Sequence, residues 1–313
     1  MSEKSYNSLK KIILKICLTL FCTFLAFLLL DIIVYSIDWI ALKKHNEKFG
    51  GYLIPYRYSL SLNKYSYDYI LDEKYYRKPT NTQSNLKPIY IFGCSFAYGE
   101  GLSDNETINA NLAKITKRPV YNFAYPGFSV QHMLYQLENI DFSKYKKPEY
   151  IIYFYMQDHL RRIQTPFMQP HETNRYPIYY TNNKEDFVFK KNRFDIPFYI
   201  VKKIQCFYAK YKTTSPDFEK NNNDLLKNHF LKANSIIKEK FPDSKFIIVL
   251  YEQESIKNKA VFNDLKKYGI EVISTKEITS EKLSDKKYKL IDNHPSALAW
   301  KEITPKLVKT TGM

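Results

Sequence analysis

Residues 88–95 read Pro-Ile-Tyr-Ile-Phe-Gly-Cys-Ser, an apolar run that ends in a glycine, a cysteine and a serine. A short apolar run bounded by a proline and a glycine is typical of a strand that is buried on both faces of a sheet. Ser95 follows directly after this strand, where parallel sheets present polar groups to a ligand. The sequence therefore predicts a parallel α/β sheet with functional residues at the carboxyl ends of its strands.

The chain beyond this strand alternates apolar strands with amphipathic helices. Hydrophobic periodicity predicts further strands at 119–123, 150–156, 246–251 and 270–273. It predicts helices at 106–115, 130–140, 224–240, 260–268 and 297–308. Continuous apolar strands separated by amphipathic helices indicate a parallel sheet that is covered by helices on both faces.

A second motif lies directly before the last predicted helix, where residues 291–296 read Ile-Asp-Asn-His-Pro-Ser. It places Asp292 and His294 on one tight turn. With Ser95 they form a set of nucleophile, base and orienting carboxylate, which are the parts of a serine hydrolase. Each residue alone has an ordinary explanation, since a serine after a strand is often a helix N-cap and His-Pro is often a turn. Their order and their positions at strand ends favour a site.

These motifs resemble the blocks of the SGNH (GDSL-like) hydrolases, over residues 88–308. The resemblance implies a three-layer α/β/α, flavodoxin-like fold and an esterase, lipase or acetyl-transfer activity. It implies that Ser95 is the nucleophile, His294 the base and Asp292 the residue that orients the base. It also implies an oxyanion hole built from the backbone N–H groups of Ser95 and Gly127 and the side-chain amide of Gln157.

The sequence departs from the family's pattern at several positions. Cys94 replaces the aspartate of Gly-Asp-Ser, and Tyr155 replaces the glycine of the third block, Gly-x-Asn-Asp. Gln157 stands where the family has asparagine, so its amide lies one methylene further from the backbone. The last block is one residue shorter than Asp-x-x-His, which leaves Asp158 as an alternative to Asp292 for the carboxylate.

A charged cluster follows the third predicted strand, at residues 158–162 (Asp-His-Leu-Arg-Arg). We predict that Asp158, His159 and Arg161 bind substrate at the same rim as the other site residues. A guanidinium there could recognise a carboxylate or phosphate. Salt bridges to nearby acids, and a solvated loop for His159, are the alternative interpretation.

The N-terminus carries an uninterrupted apolar run at 16–30, extended by apolar residues on both sides. The stretch is long enough to span a bilayer core of roughly 30 Å. Four lysines lie before or at its start and predict a cytoplasmic N-terminus, with the rest of the chain outside: Lys4, Lys10, Lys11 and Lys15. A cleaved signal peptide is the alternative, although no Ala-x-Ala cleavage site follows the run.

These patterns predict three regions. Residues 1–40 form a cytoplasmic stub and transmembrane anchor, and residues 41–87 form a tyrosine-rich extracytoplasmic linker or wrapping segment. Residues 88–313 form the hydrolase-like domain. It contains an aromatic-rich insertion at about 164–223, which is too long for an ordinary connection. The insertion could form a lid or substrate platform, or its aromatic residues could pack a small subdomain core or rest on the membrane.

The net charge is +16, from 48 Lys and Arg against 32 Asp and Glu. The basic residues are dispersed, which indicates compositional bias rather than a nucleic-acid surface, so no nucleic acid is expected as a partner. No Cys/His cluster has metal-ligand spacing and no glycine-rich loop could hold phosphate, so neither a metal nor a cofactor is predicted. Cys94 could pair with Cys206 in an oxidising compartment or act as a small buried filler.

The predicted function is that of a membrane-anchored extracytoplasmic serine esterase. Its expected substrate is an acylated glycan of the cell envelope, from which it would remove O-acyl groups, chiefly acetyl. An acyltransferase of the same fold is one alternative. A catalytically degenerate glycan-binding or assembly protein is the other, and the altered third block at Gln157 favours it to some extent.

Overall fold

A computed structural model describes residues 3–49, 58–62, 65–69, 77–163, 178–181, 187–190, 200, 216–252 and 256–313. Most of the predicted insertion, together with Cys206, lies outside these residues. The described helices are α1 (Glu3–Phe49), α2 (Ser95–Tyr98), α3 (Ile108–Thr116), α4 (Val130–Asn139), α5 (Asp158–Ile163), α6 (Pro216–Lys240), α7 (Lys259–Leu265), α8 (Thr275–Ile278) and α9 (Ala297–Thr311). The strands are β1 (Tyr58–Leu62), β2 (Tyr65–Tyr69), β3 (Ile89–Phe92), β4 (Val120–Asn122), β5 (Tyr150–Tyr155), β6 (Ile178–Thr181), β7 (Phe187–Lys190), β8 (Lys245–Leu250) and β9 (Glu271–Ser274).

Five of these strands form one parallel sheet in the order β4-β3-β5-β8-β9. Ile89 at the start of β3 lies opposite Val120 on one side and Tyr150 on the other. Numbered within the sheet, this order is 2-1-3-4-5, which is that of flavodoxin-like folds. The predicted fold class is confirmed.

The sheet separates two apolar cores. Successive side chains of a strand point to opposite faces, and all four residues of β3 have 0% exposure. Tyr90 and Phe92 pack with residues of α4, α6 and α7, whereas Ile89 and Ile91 pack with residues of α3 and α9. The domain therefore has three layers, with the sheet in the middle.

The predicted strands agree with the observed ones to within about two residues, and three smaller features differ. The segment 41–87, predicted as a linker or wrapping segment, contains β1 and β2, which pair with each other in a separate antiparallel hairpin. Helix α6 begins at Pro216 instead of at 224. Helix α1 continues past residue 40, the predicted end of the anchor, to Phe49.

Within α1, residues Lys10–Val34 are long and apolar enough to cross a membrane. A signal sequence near an N-terminus would meet the same criterion of length and composition. Leu14 and Leu20 are 69% and 65% exposed, whereas Asp31 near the end of this window is buried and accepts from Ile200 N at 2.6 Å.

A buried arginine from the segment that precedes the sheet holds the loop after α2. The Arg77 side chain is 0% exposed and its Nη1 donates to Asp104 Oδ1 at 2.6 Å. Its other donors bind the carbonyl oxygens of Tyr98 (2.7 Å), Gly99 (2.5 Å) and Leu102 (2.7 Å). Because these carbonyls lie on both sides of residue 100, Arg77 fixes the path of the loop that passes the candidate site.

Arg77→Met is expected to destabilise the protein by about 3 kcal/mol, because three carbonyls would lose their donors in a buried place. Thermal or urea unfolding of the full chain in mild detergent would measure the loss. Lys78→Met is the matched control, since Lys78 is exposed. Equal stability of the two variants would contradict a stabilising role for the Arg77 hydrogen bonds.

Candidate active site

Ser95 lies at the start of a tight turn from β3 into α2. Gly93 has φ +151°, and a Cβ at this position would lie 3.0 Å from Ala97 Cβ and 3.1 Å from Phe154 O. A larger residue would force the turn away from the sheet. Gly93 therefore lets the chain turn at once, so that Ser95, which is 7% exposed, begins the short helix.

Asn122, at the end of β4, fixes this short helix from the side. Its Nδ2 donates to Ala97 O at 2.8 Å and to Asn109 Oδ1 at 2.9 Å. Its Oδ1 accepts from Ala124 N at 2.9 Å. The side chain is buried, so these bonds join α2, α3 and the loop after β4 into one unit around Ser95.

The C-terminal motif forms the tight turn that the sequence predicts. Leu290 N donates to His294 O at 2.7 Å and Asn293 N donates to Leu290 O at 3.0 Å. Asn293 adopts φ +67°, in the left-handed region that asparagine tolerates better than most residues. This reversal brings Asp292 and His294 to the same side, so the shortened Asp-x-His spacing still allows the two side chains to meet.

The structure brings Ser95, His294 and Asp292 together. His294 Nε2 lies 2.8 Å from Ser95 Oγ, and His294 Nδ1 lies 3.0 Å from Asp292 Oδ2. Asp292 Oδ1 also accepts from the His294 backbone N–H at 3.2 Å. One imidazole thus bridges the hydroxyl and the carboxylate, as general-base activation of a serine requires.

The two contacts of the imidazole differ in alignment. The Nε2 contact meets hydrogen-bond geometry, whereas the Nδ1 contact is an ion-pair distance whose angle falls short of a directed hydrogen bond. The carboxylate favours the tautomer with the proton on Nδ1, which leaves Nε2 free to accept the serine proton.

The charges of the site raise the pKa of His294 and lower the pKa of Asp292. Burial lowers the pKa of His294, but the carboxylates of Asp292 and Glu100 outweigh it and raise the pKa above 6.5. Burial raises the pKa of Asp292, but its contacts with His294 outweigh this and lower the pKa below 3.8. At neutral pH, Asp292 is therefore ionised and stabilises the imidazolium.

Glu100 is a site residue that the sequence analysis missed. Its Oε2 lies 3.4 Å from His294 Nε2, the same nitrogen that contacts Ser95. Its backbone N donates to Ser95 O at 3.0 Å. The sequence feature that could have identified Glu100 is its position between Gly99 and Gly101, five residues after the predicted nucleophile.

Gly127 and Gln157 are the two residues besides Ser95 that were predicted to form the oxyanion hole, and they lie in loops that follow the strands on either side of β3. Gly127, with φ +81°, sits in the turn after β4, and the preceding Tyr125 N donates to Gly93 O at 3.2 Å. Gln157 follows β5, and its Oε1 accepts from Lys257 N at 3.0 Å. The oxyanion roles of Gly127 and Gln157 stay predictions.

Asp158 and its neighbours form the helix α5 rather than a loop. Asp158 Oδ2 accepts from Arg162 Nε at 2.8 Å, and Arg162 Nη1 donates to Phe128 O at 3.0 Å. Of the two carboxylates that the sequence left open as orienter, Asp292 is the one against His294. The Arg161 side chain lies outside the described residues, and substrate binding by Asp158 and Arg161 stays a prediction.

The prediction that His159 binds substrate at the rim is wrong. His159 is 0% exposed, and its Nδ1 lies 2.8 Å from the Tyr153 hydroxyl. Its carbonyl accepts from Ser129 Oγ at 3.1 Å. Burial lowers the pKa of His159 well below 6.5, so the ring is neutral and belongs to the core under α5.

Cys94 is a buried free thiol, with its Sγ 3.5 Å from Met156 Sδ. Burial raises its pKa, which favours the protonated, unreactive form. It occupies the interior beside Ser95 as a small filler. Among the described residues, no group of three or more His, Cys, Asp or Glu side chains could hold a metal ion.

No protein-family model and no curated protein matches the sequence. Solved structures with a similar fold include an acetyl xylan esterase from Butyrivibrio proteoclasticus, at 13% identity and a TM-score of 0.45. That match covers 72% of this chain and 63% of the esterase, so the chain spans less than two thirds of its length.

Two further solved structures are similar over 72% of this chain. A lipolytic protein of the G-D-S-L family from Desulfitobacterium hafniense is 10% identical, with a TM-score of 0.44 over 99% of its length. A lipase from a goat rumen metagenome is 15% identical, with a TM-score of 0.46 over 97% of its length. At these identities the likeness concerns the fold.

Proposed function

We propose that this chain is a serine esterase of the SGNH type that removes O-acyl groups, chiefly acetyl, from a glycan. One observation carries the proposal. Ser95 Oγ lies 2.8 Å from His294 Nε2, and the other ring nitrogen faces Asp292 at 3.0 Å. A hydroxyl, an imidazole and a carboxylate in this order are the groups that acyl transfer through a serine requires.

In the acylation step, Ser95 Oγ would attack the ester carbonyl while His294 Nε2 accepts its proton. The ionised Asp292 would stabilise the imidazolium that forms. The negative charge on the carbonyl oxygen would be held by the N–H groups of Ser95 and Gly127 and by the Gln157 amide. A single donor of this kind typically contributes about 3 kcal/mol to transition-state stabilisation.

The same histidine would complete the cycle. Nε2–H would protonate the departing alcohol oxygen as the acyl–oxygen bond breaks, which leaves an acyl ester on Ser95. Water would then attack this ester with His294 as base, and the protonated histidine would return the proton to Ser95 Oγ. The products are the free acid and the deacylated hydroxyl.

The location that we propose for this activity rests on α1. Its apolar window would hold the enzyme on a membrane, and the lysines at its start favour a cytoplasmic N-terminus. The catalytic domain would then face the cell envelope, beside polymers that carry ester groups. The aromatic residues of the predicted insertion would suit the flat faces of sugar rings.

The full chain in mild detergent is expected to hydrolyse 4-nitrophenyl acetate. Its kcat/KM should rise with pH, because only the neutral imidazole accepts the serine proton, and the midpoint of the rise should lie above pH 6.5 since the pKa of His294 is raised. Release of nitrophenolate between about pH 5 and 9 would measure this, with correction for its own ionisation. A rate no greater than that of heat-denatured protein would contradict the proposal.

The Asp292→Asn variant tests whether Asp292 is what raises the pKa of His294. The amide cannot stabilise the imidazolium, so the pKa of His294 should fall and the rise in kcat/KM should move to lower pH. The plateau should drop by about 10⁴-fold, because the imidazole loses its preferred tautomer. A midpoint that stayed in place would show that Asp292 does not act on His294.

A further inference from the structure

Glu100 stands where the alcohol half of a substrate would leave. Its Oε2 lies 3.4 Å from His294 Nε2, on the nitrogen that would deliver the proton to the departing oxygen. The Glu100 side chain is 41% exposed, whereas that of His294 is 18% exposed. The Glu100 carboxylate therefore lies next to the reacting nitrogen and is more exposed to solvent than the imidazole.

Hydrogen bonds fix the backbone at Glu100 and on both sides of it. The Glu100 backbone N donates to Ser95 O at 3.0 Å, which ties it to the turn that carries the nucleophile. Arg77 donates to the carbonyls of Gly99 and Leu102, on either side of Glu100. These bonds fix the backbone position from which the Glu100 side chain reaches His294, which is the support that a site residue needs from its surroundings.

The charges around Glu100 leave its oxygens available. Among the described residues, His294 is the basic side chain within salt-bridge distance of Glu100, while Arg77 directs its donors to carbonyls and to Asp104. Burial and the Asp292 carboxylate raise the pKa of Glu100 above its usual value, and His294, Arg77 and Arg162 offset only part of this rise. Because the side chain meets solvent, we treat the carboxylate as ionised at neutral pH, where it is a hydrogen-bond acceptor only.

Geometry then constrains the departing alcohol. Its ester oxygen must come within hydrogen-bond distance of His294 Nε2 to receive a proton, so its neighbouring atoms come close to Glu100 Oε2. A hydroxyl on the next carbon could donate to that oxygen. A carboxylate or phosphate at the same place would meet a like charge in a partly desolvated site.

We infer that Glu100 is a specificity-determining residue that accepts a hydroxyl of the departing alcohol and disfavours alcohols with negative charge beside the ester. This inference rests on the proposed esterase function and narrows its substrate class. The preferred substrates would be esters of neutral polyols, such as sugar rings with a free hydroxyl next to the acylated one. Esters beside acidic groups of an envelope polymer would be poor substrates.

Three small acetate esters separate the two parts of this inference. Propyl acetate has no second polar group, propane-1,2-diol 1-acetate adds a vicinal hydroxyl, and 3-acetoxypropanoate adds a negative charge. For the full wild-type chain in detergent, kcat/KM for the diol ester should exceed that for propyl acetate by about tenfold, the usual effect of a hydrogen bond to a charged group. The value for the anionic ester should lie about tenfold below propyl acetate.

Two substitutions at Glu100 then test the residue. Glu100→Gln keeps an acceptor oxygen and loses the charge, so the anionic ester should become as good as propyl acetate while part of the preference for the diol remains. Glu100→Leu removes both, so all three esters should react at similar rates. Glu239→Gln, at an exposed position on α6, is the matched control and should keep the wild-type ratios.

The outcomes are distinct. Wild-type ratios that persist in Glu100→Gln, or an equal loss on all three esters, would overturn the role of Glu100 while wild-type hydrolysis of 4-nitrophenyl acetate still upheld the esterase. If the wild-type chain hydrolysed none of the four esters, the proposed function would fall and the inference with it. Because Gln differs little from Glu in size, the test survives even if Glu100→Leu does not fold.

Discussion

Ser95→Ala is expected to lower kcat for ester hydrolysis by about 10⁶-fold, which is the usual loss when a nucleophilic serine is removed from a triad. The hydroxyl is the group that would form the acyl intermediate. Among the described residues, the other oxygen in contact with His294 Nε2 belongs to the Glu100 carboxylate. Nitrophenolate release from 4-nitrophenyl acetate by the full chain would measure the loss.

The variant should keep its fold, because Ser95 contributes one buried hydroxyl while Asn122 and Arg77 hold the surrounding loops. Ser235→Ala, at an exposed position on α6, is the matched control and should keep the wild-type rate. A Ser95→Ala protein with an unchanged melting temperature and undiminished hydrolysis would rule out Ser95 as the nucleophile. In that case any esterase activity would come from a different group.

The fold was predictable because its central strands are buried on both faces. β3, β5 and β8 are continuous apolar runs, a pattern that parallel sheets produce and that surface strands do not. The hairpins were less predictable, since two tyrosine-rich strands that pair only with each other lack that pattern. The start of α6 was missed because residues 216–223 are polar and carry no apolar stripe.

The pairing of Ser95 with His294 followed from position, since both motifs adjoin elements that a parallel sheet brings to one edge. It was harder to judge whether Asp292 and His294 can meet across the shortened Asp-x-His spacing, because their contact depends on Asn293 adopting a positive φ. That conformation is a local property that asparagine allows but does not guarantee. The structure shows the turn closed by Leu290 bonding both Asn293 and His294.

The wrong prediction for His159 and the failure to identify Arg77 have a different cause. His159 lies among charged neighbours in the sequence, and only the helical turn of α5 directs it inward while Asp158 pairs with Arg162. Arg77 satisfies three carbonyls and one carboxylate that lie at least 21 residues further along the chain. Contacts of this kind depend on tertiary structure and leave no periodic signal, so hydrophobic pattern and motif spacing do not reveal them.

His294→Ala is expected to lower kcat by about as much as Ser95→Ala, because the serine hydroxyl has no base without the imidazole. The double variant Ser95→Ala/His294→Ala should then lose no more than either single variant, since residues that act as one unit are not additive. Both rates would be measured with 4-nitrophenyl acetate under the wild-type conditions. Losses that multiplied in the double variant would mean that the two residues act independently.

The His159→Gln variant tests which of two histidines, His159 or His294, acts as the base. Because His159 is fully buried and bonded to Tyr153, its replacement should lower the melting temperature. Measured well below that temperature, its kcat should stay within a few-fold of wild type, whereas His294→Ala should be inactive at any temperature. If His159→Gln lost activity without losing stability, the base would have been assigned to the wrong histidine, and the 2.8 Å contact between Ser95 and His294 would be structural only.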